Sequence, residues 1–186
     1  MAKHVCPWWV GYLLTSPLRR WLSESPEDLL APFVQDGMTV LEPGPGMGFF
    51  TLPLAQLVGP AGRVFAVDIQ PKMLSVLRKR AAEKGLADRI ETRLADQDSM
   101  PLSDLKGTID FVLAFAMVHE LPSAEVFFRH VAAVLKPGAL LLLAEPAGHV
   151  TPERFQQELA AARQAGLEAV SQPTVRRSLT ALLRKA

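Results

Sequence analysis

Thr39-Val40-Leu41-Glu42-Pro43-Gly44-Pro45-Gly46-Met47-Gly48-Phe49-Phe50-Thr51 is the stretch on which the reading of this chain turns. Thr39 to Leu41 reads as a short apolar strand, with Glu42 at its carboxyl end. Three glycines follow at alternate positions, and the chain then runs from Phe49 to Val58 as an apolar stretch suited to a buried helix. A strand, a glycine turn and a helix together form a pocket for a nucleotide-like ligand. Glycine lets backbone approach a ligand closely, and a helix N-terminus offers unpaired N–H groups. The spacing departs from the dinucleotide fingerprint Gly-x-Gly-x-x-Gly, because counting from Gly44 and Gly46 puts Phe49 where the third glycine belongs. The pattern is Glu-x-Gly-x-Gly-x-Gly, and a glycine triplet is a weak signal until its surroundings are read.

Upstream, residues 1–35 form a helical and aromatic preface. Trp8, Trp9, Trp21 and Tyr12, all the tryptophans and the only tyrosine of the chain, fall within its first 21 positions. Ser25-Pro26-Glu27-Asp28 reads as a helix cap, a proline at the first helical position and acids in the first turn. Leu29, Leu30, Phe33 and Val34 continue an apolar face, with a kink at Pro32 and a stop at Gly37. The aromatics serve either as a lid over a site or as packing against the sheet edge.

Downstream, Arg63 to Ile69 is a second strand, apolar enough to be buried on both faces. Asp68 closes it, 20 residues beyond Gly48, where a nucleotide-binding half places a carboxylate for ribose hydroxyls. Capping of the helix that Pro71 opens is the structural alternative. That helix carries Met73, Leu74, Leu77 and Ala81 at helical spacing, and its outward Arg78-Lys79-Arg80 run reads as a solvated face. Arg89 to Ala95 is a third strand, followed by Asp96-Gln97; Ile109 to Phe115 is a fourth, followed by Ala116 to Pro122. Ser123 caps a helix that ends at Lys136-Pro137-Gly138, Ala139 to Glu145 is a fifth strand, and Thr151-Pro152-Glu153 starts another capped helix with Phe155, Leu159 and Ala162 inward. Leu167 to Gln172 and Ser178 to Arg184 complete the chain as a strand pair. Strands alternating with helices predict an α/β fold with a parallel sheet, and the final pair supplies an antiparallel member.

The 186 residues suit one domain with a full-sized core, residues 36–186. A net charge of +1 makes no electrostatic case for nucleic acid. A single cysteine, Cys6, excludes an intramolecular disulfide framework and fits a reducing cytosol. No apolar run approaches the roughly 18 residues of a membrane span, and Val5 to Leu14, interrupted by Pro7 and Gly11, lacks the cleavage pattern of a signal peptide. A cytoplasmic location is expected.

Glu42 with its three glycines, Asp68, Asp96, the strand ending at Phe115 and Leu135-Lys136-Pro137-Gly138 together resemble the marks of class I S-adenosylmethionine (SAM) methyltransferases, in their order along the chain. The resemblance covers residues 36–186 and is closest in character to the branch with quinone-biosynthesis and arsenite methyltransferases. It implies a Rossmann-like three-layer sandwich with a seven-stranded, mainly parallel sheet and an antiparallel terminal strand. It implies SAM as cofactor and S-adenosylhomocysteine as product. By the same resemblance, Glu42, Gly44, Pro45, Gly46 and Gly48 face the methionine and ribose of SAM. Asp68, Ile69 and Met73 then belong beside the ribose, Asp96 and Gln97 beside the adenine, and Phe115 borders the cofactor. Asp98 is an alternative to Asp96, since the register is open by a residue or two.

A methyltransferase holds an acceptor in line with the activated methyl and keeps water away. Ligands of such sheets bind outside the carboxyl ends of the strands, where Glu42, Asp68, Asp96 and the segment 115–120 are expected to converge. His119 and Glu120 are the ionisable pair after the fourth strand, and a neutral histidine there is a candidate base. The alternative is that His119 only shapes its loop. Trp8, Trp9, Tyr12, Met117, His119 and Glu145 are candidates to touch substrate, with His149 just beyond. The connection from Pro146 to Val150 is short, so the preface, the segment after the fourth strand or a second subunit of a homodimer must enclose the substrate. Ala116-Met117-Val118-His119 lacks the Asn/Asp-Pro-Pro-aromatic motif of adenine amino-methylating enzymes, and one cysteine cannot form an arsenic-binding thiolate set. No metal site is expected, His4-x-Cys6 having no second pair. A small-molecule acceptor is therefore the leading expectation. A protein or RNA side chain and a non-catalytic SAM-binding regulatory module are the alternatives.

Overall fold

The computed structural model describes residues 25–96 and 99–186. Trp8, Trp9, Tyr12, Cys6, Gln97 and Asp98 lie outside the described residues, and so does the choice between lid and packing for the preface aromatics. The chain divides into two compact units, Met1–Pro101 and Leu102–Ala186. They supply three and four strands of a seven-stranded mixed sheet, which is mainly parallel as expected.

In the first unit the order is β3-β2-β1. Helix α1 (Pro26–Leu30) is opened by Ser25, whose hydroxyl accepts from Asp28 N. It ends earlier than the apolar pattern to Val34 predicts, because Pro32 has no N–H for a further helical bond. β1 (Thr39–Pro43) lies parallel to β2 (Arg63–Asp68), with Thr39 opposite Arg63 and Glu42 opposite Ala66. β2 lies parallel to β3 (Ile90–Leu94), with Asp68 opposite Leu94. This register brings the three carboxyl ends level, so the glycine turn, Ile69-Gln70 and Ala95-Asp96 share one end of the three strands. Val64 to Val67 are buried in succession, as a strand between two helical layers requires. Helices α2 (Thr51–Leu57) and α3 (Pro71–Glu83) cover the sheet; α3 buries Met73, Leu74, Leu77 and Ala81, the face read from its spacing. Pro53 sits in the first turn of α2, where a missing N–H leaves no hydrogen bond unmade.

In the second unit the order is β4-β5-β7-β6. β4 (Ile109–Phe115) runs parallel to β5 (Leu135–Pro146), with Phe115 opposite Ala144. β7 (Ser178–Lys185) is antiparallel to both β5 and β6 (Leu167–Ser171), so the antiparallel strand is the last in the chain but not at the edge of the sheet. Lys136-Pro137-Gly138 belongs to β5 and not to a helix end: α4 (Ala124–Val134) stops two residues before Lys136, and Leu135 already pairs with Ile109 ahead of a register shift. Caps at Ser123 and Thr151 are formed as expected, accepting from Val126 N at 3.2 Å and from Arg154 N at 3.3 Å. Thr151 opens α5 (Pro152–Gln164), whose inward residues are Phe155, Glu158, Ala161 and Ala162, while Leu159 is only half-buried. Among the described residues no helix is long and apolar enough to cross a membrane.

Candidate functional site

The first cluster belongs to the amino-terminal unit. β1 carries Glu42 inward as its fourth residue, 4% exposed, and Oε2 has no hydrogen-bond partner among the described residues. Burial pushes its carboxyl up to about 8, and the nearby Asp68 charge adds to the shift. Thr51 opposes it from the start of α2, although the Thr51 hydroxyl makes no hydrogen bond of ordinary geometry and is fully buried. A buried carboxyl with an idle oxygen is costly unless something from outside completes it.

The turn beside it is built for close approach. Gly46 has φ +54°, and a Cβ there would meet nothing within 4 Å, so the space beside its Cα is open. Gly48 has φ +88°, and a Cβ there would come within 2.5 Å of Leu77 Cδ1, so this glycine lets the turn lie down on α3. The Arg80 guanidinium of α3 donates to Met47 O and fastens the turn from the other side. Gly44 N donates to Val67 O at 2.9 Å, extending the β1–β2 ladder into the turn. Pro45 is buried and Gly44 exposed. Asp68 is half-buried at the end of β2, and its Oδ1 accepts from Gln70 N at 2.8 Å, which shapes the entry to α3. The helix-cap alternative is thus met in modified form: Asp68 braces the residue before the helix, and Gln70 itself makes no side-chain cap. Ile69 is 37% exposed, Met73 is buried and Asp96 is exposed, with its N–H donating to Ser99 O.

The second cluster belongs to the carboxyl-terminal unit. β4 ends at half-buried Phe115, and Ala116 follows with φ 55°, a left-handed conformation that is strained for a residue with a Cβ. A short 3-10 turn, Val118–Glu120, then presents His119. Glu145, the penultimate residue of β5, is fully buried. Its Oε1 accepts from Met117 N at 3.1 Å and Val118 N at 2.9 Å, and its Oε2 is hydrogen-bonded to His119 Nδ1. Arg154 of α5 donates from Nη2 to His119 O at 2.6 Å and lies 3.9 Å from Glu158 Oε1. The His119 Nε2 lies 4.0 Å from Glu120 Oε1, and the His149 ring stands 6.0 Å away at 85°. The hydrogen bond that the His119 ring donates to Glu145 lifts the imidazole above its usual value, with burial opposing. Glu158, 4% exposed with Oε2 unpartnered, is raised to about 7 by burial and then by the Glu145 charge.

Sequence reasoning named His119, Glu120, Met117 and Glu145 but passed over Arg154 and Glu158. A signal for Glu158 existed, since it stands at i+3 from Phe155 and i−4 from Ala162, a charge on the apolar stripe of α5. Among the described residues no group of His, Cys, Asp and Glu could hold a metal. A cavity of 340 Å³ between α5 and the 172–180 segment is lined by Phe155, Gln172, Thr174 and other uncharged residues, and neither His119 nor Glu145 reaches it.

A family model for a methyltransferase domain matches residues 34–180. A ubiquinone/menaquinone biosynthesis C-methyltransferase from Ectopseudomonas mendocina is 35% identical over 112 residues, 60% of this chain and 43% of that protein. An arsenite methyltransferase from Halobacterium salinarum is 34% identical over 109 residues, 59% of this chain and 27% of that protein. The chain thus spans less than half the length of these curated relatives. The crystal structure of a SAM-dependent methyltransferase from Aquifex aeolicus superimposes with a TM-score of 0.86 at 25% identity, over 98% of this chain and all of that one.

Proposed function

The chain belongs to the methyltransferase-domain family, and from that premise we propose that it binds SAM in the amino-terminal unit and transfers its methyl group to a small-molecule acceptor. The observation that carries the cofactor assignment is the buried Oε2 of Glu42, unpartnered among the described residues, at the strand end that leads into the open glycine turn. The methionine end of SAM is cationic, and a cation is what an idle buried carboxyl oxygen accepts. The donor set fits the rest of the molecule. Gly44, Pro45, Gly46 and Gly48 give a backbone wall, Asp68 places a carboxylate at the end of β2 for the ribose hydroxyls, and Asp96 stands two residues beyond Leu94, where the β2–β3 ladder ends. Ile69 and Met73 complete the proposed cofactor set of this unit, with Gln97 outside the described residues.

When bound, SAM supplies a methyl on a positively charged sulfur. The small-molecule acceptor rests on two supports: relatives named for quinone and arsenite methylation, and the short β5–α5 connection, which adds no extended docking surface. His119 and Glu120 are the proposed catalytic pair, and Met117 and Glu145 belong to the acceptor side.

Calorimetric titration with SAM, S-adenosylhomocysteine and NAD tests the reading. Micromolar binding of the two adenosyl ligands, weakened at least about 30-fold by Asp68→Ala, is expected, the loss matching two charge-assisted hydrogen bonds. Binding of NAD alone overturns it. Tight SAM binding with no transfer to any quinol, phenol or thiol moves the chain to the regulatory-module reading.

A further inference from the structure

Glu145 meets three donors from one loop: Met117 N, Val118 N and the His119 ring. A carboxylate in that position only accepts, so the His119 nitrogen facing it carries the hydrogen. Nδ1–H is therefore spent on Glu145, and the neutral imidazole has its lone pair on Nε2. That nitrogen makes no hydrogen bond among the described residues, since its nearest partner, Glu120 Oε1, is 4.0 Å away. The backbone of the same residue is held as firmly as the ring, through the 2.6 Å bond from Arg154 Nη2 to His119 O. Ring and main chain are thus fixed from β5 on one side and α5 on the other.

We infer that Glu145 is a positioning residue that presents Nε2 of His119 as the base for the acceptor's proton, and that the acceptor is a phenol, enol or thiol that must lose a proton as it is methylated. This rests on the proposed methyl transfer. The step balances: the acceptor atom forms a bond to the methyl carbon, the carbon–sulfur bond breaks with its electron pair going to sulfur, and the acceptor's proton passes to Nε2. The imidazolium so formed lies between Glu145 and, at 4.0 Å, Glu120, which stabilise the charge as it appears. The other titratable groups facing it are Arg154 and Glu158 from α5 and His149 from the loop after β5. An acceptor that attacks through a lone pair without a proton, such as a thioether or tertiary amine, would gain nothing from this arrangement.

The tautomer is read directly by nitrogen NMR of the full chain, with His119→Asn to assign the signal. The neutral ring is expected as the Nδ1–H form with a midpoint above 6.5, and Glu145→Gln is expected to lower that midpoint because the largest raising influence is gone. A neutral ring protonated on Nε2, or a midpoint unmoved in Glu145→Gln, overturns the inference. With a catechol, a hydroquinone and an alkylthiol as probes, His119→Asn is expected to lower kcat by about 100-fold or more, the ordinary contribution of a positioned base. Glu145→Gln should lower it less, with the pH–rate profile displaced to lower pH and KM for SAM unchanged. Transfer confined to a thioether or tertiary amine and indifferent to His119→Asn removes the acceptor class. SAM titration of the same variants keeps the two readings apart: absent SAM binding in the wild-type chain defeats the proposed function while leaving the NMR result for the dyad intact.

Discussion

Glu42 and Glu145 occupy the same place in two units: each is the penultimate residue of a parallel strand, each precedes a proline, and each is buried. Their surroundings are opposite. Glu145 is saturated by two main-chain N–H groups and a histidine from its own unit. Glu42 has an oxygen with no partner among the described residues and a carboxyl displaced to about 8. A buried acid completed by its own fold is a structural brace, whereas one left incomplete is prepared for something brought from outside. The strand-end position alone does not decide between these; the number of donors that the following loop aims back at the carboxyl does.

The sharpest way to break that contrast is pH. A carboxyl whose value is raised on folding favours the folded state only while protonated. Glu42 should therefore lend stability fully below about 4.5 and withdraw it as pH climbs through about 8. Replacement by Gln should remove a pH-dependent loss on the order of 4 kcal/mol by pH 9, measured as denaturation midpoints of both forms across pH 5–9. A parallel decline in Glu42→Gln would show that Glu42 is not its source. If SAM's cation meets this carboxyl, binding at pH 7 should release close to one proton, read from calorimetry in buffers of different ionisation enthalpy and absent in Glu42→Gln.

Glu145→Leu should act in the opposite sense, costing about 3 kcal/mol by leaving the Met117 and Val118 N–H groups buried without an acceptor. Chemical denaturation would show it, and a cost equal to that of an exposed-site control would mean that the loop finds other partners. Gly48→Ala should cost about 2 kcal/mol in stability, because the new methyl meets Leu77 and the left-handed backbone resists a Cβ; adding Leu77→Ala should recover the steric part only. The smallest effect belongs to the second unit's helix: Thr151→Ala should cost about 1 kcal/mol through the lost cap on α5. A kcat reduced beyond that stability change would indicate that α5 also holds His119 in place through Arg154.

Much of the molecule is legible in its sequence. The Glu-x-Gly-x-Gly-x-Gly turn, the buried strand ending at Asp68, the apolar face of α3 and the caps at Ser123 and Thr151 depend on contacts a few residues apart, and those leave periodic or pairwise traces in the sequence. Boundaries were less so, as the early end of α1 before Pro32 and the early start of β5 at Leu135 show. Strand pairing to Ile109 outweighed the turn character of Lys136-Pro137-Gly138.

What the sequence by itself determined is the order of elements and the residues set at strand ends: Glu42, Asp68, Phe115, Glu145. What only the tertiary structure decided is which of these acids is satisfied. Glu145 reaches His119 across 26 positions, and Arg154 reaches the His119 carbonyl across 35. Glu158 reads as a surface charge until α5 turns it inward, where it loses water and rises to about 7. Proton affinity and hydrogen-bond satisfaction depend on distance and dielectric in the folded chain, and neither has a period along the sequence.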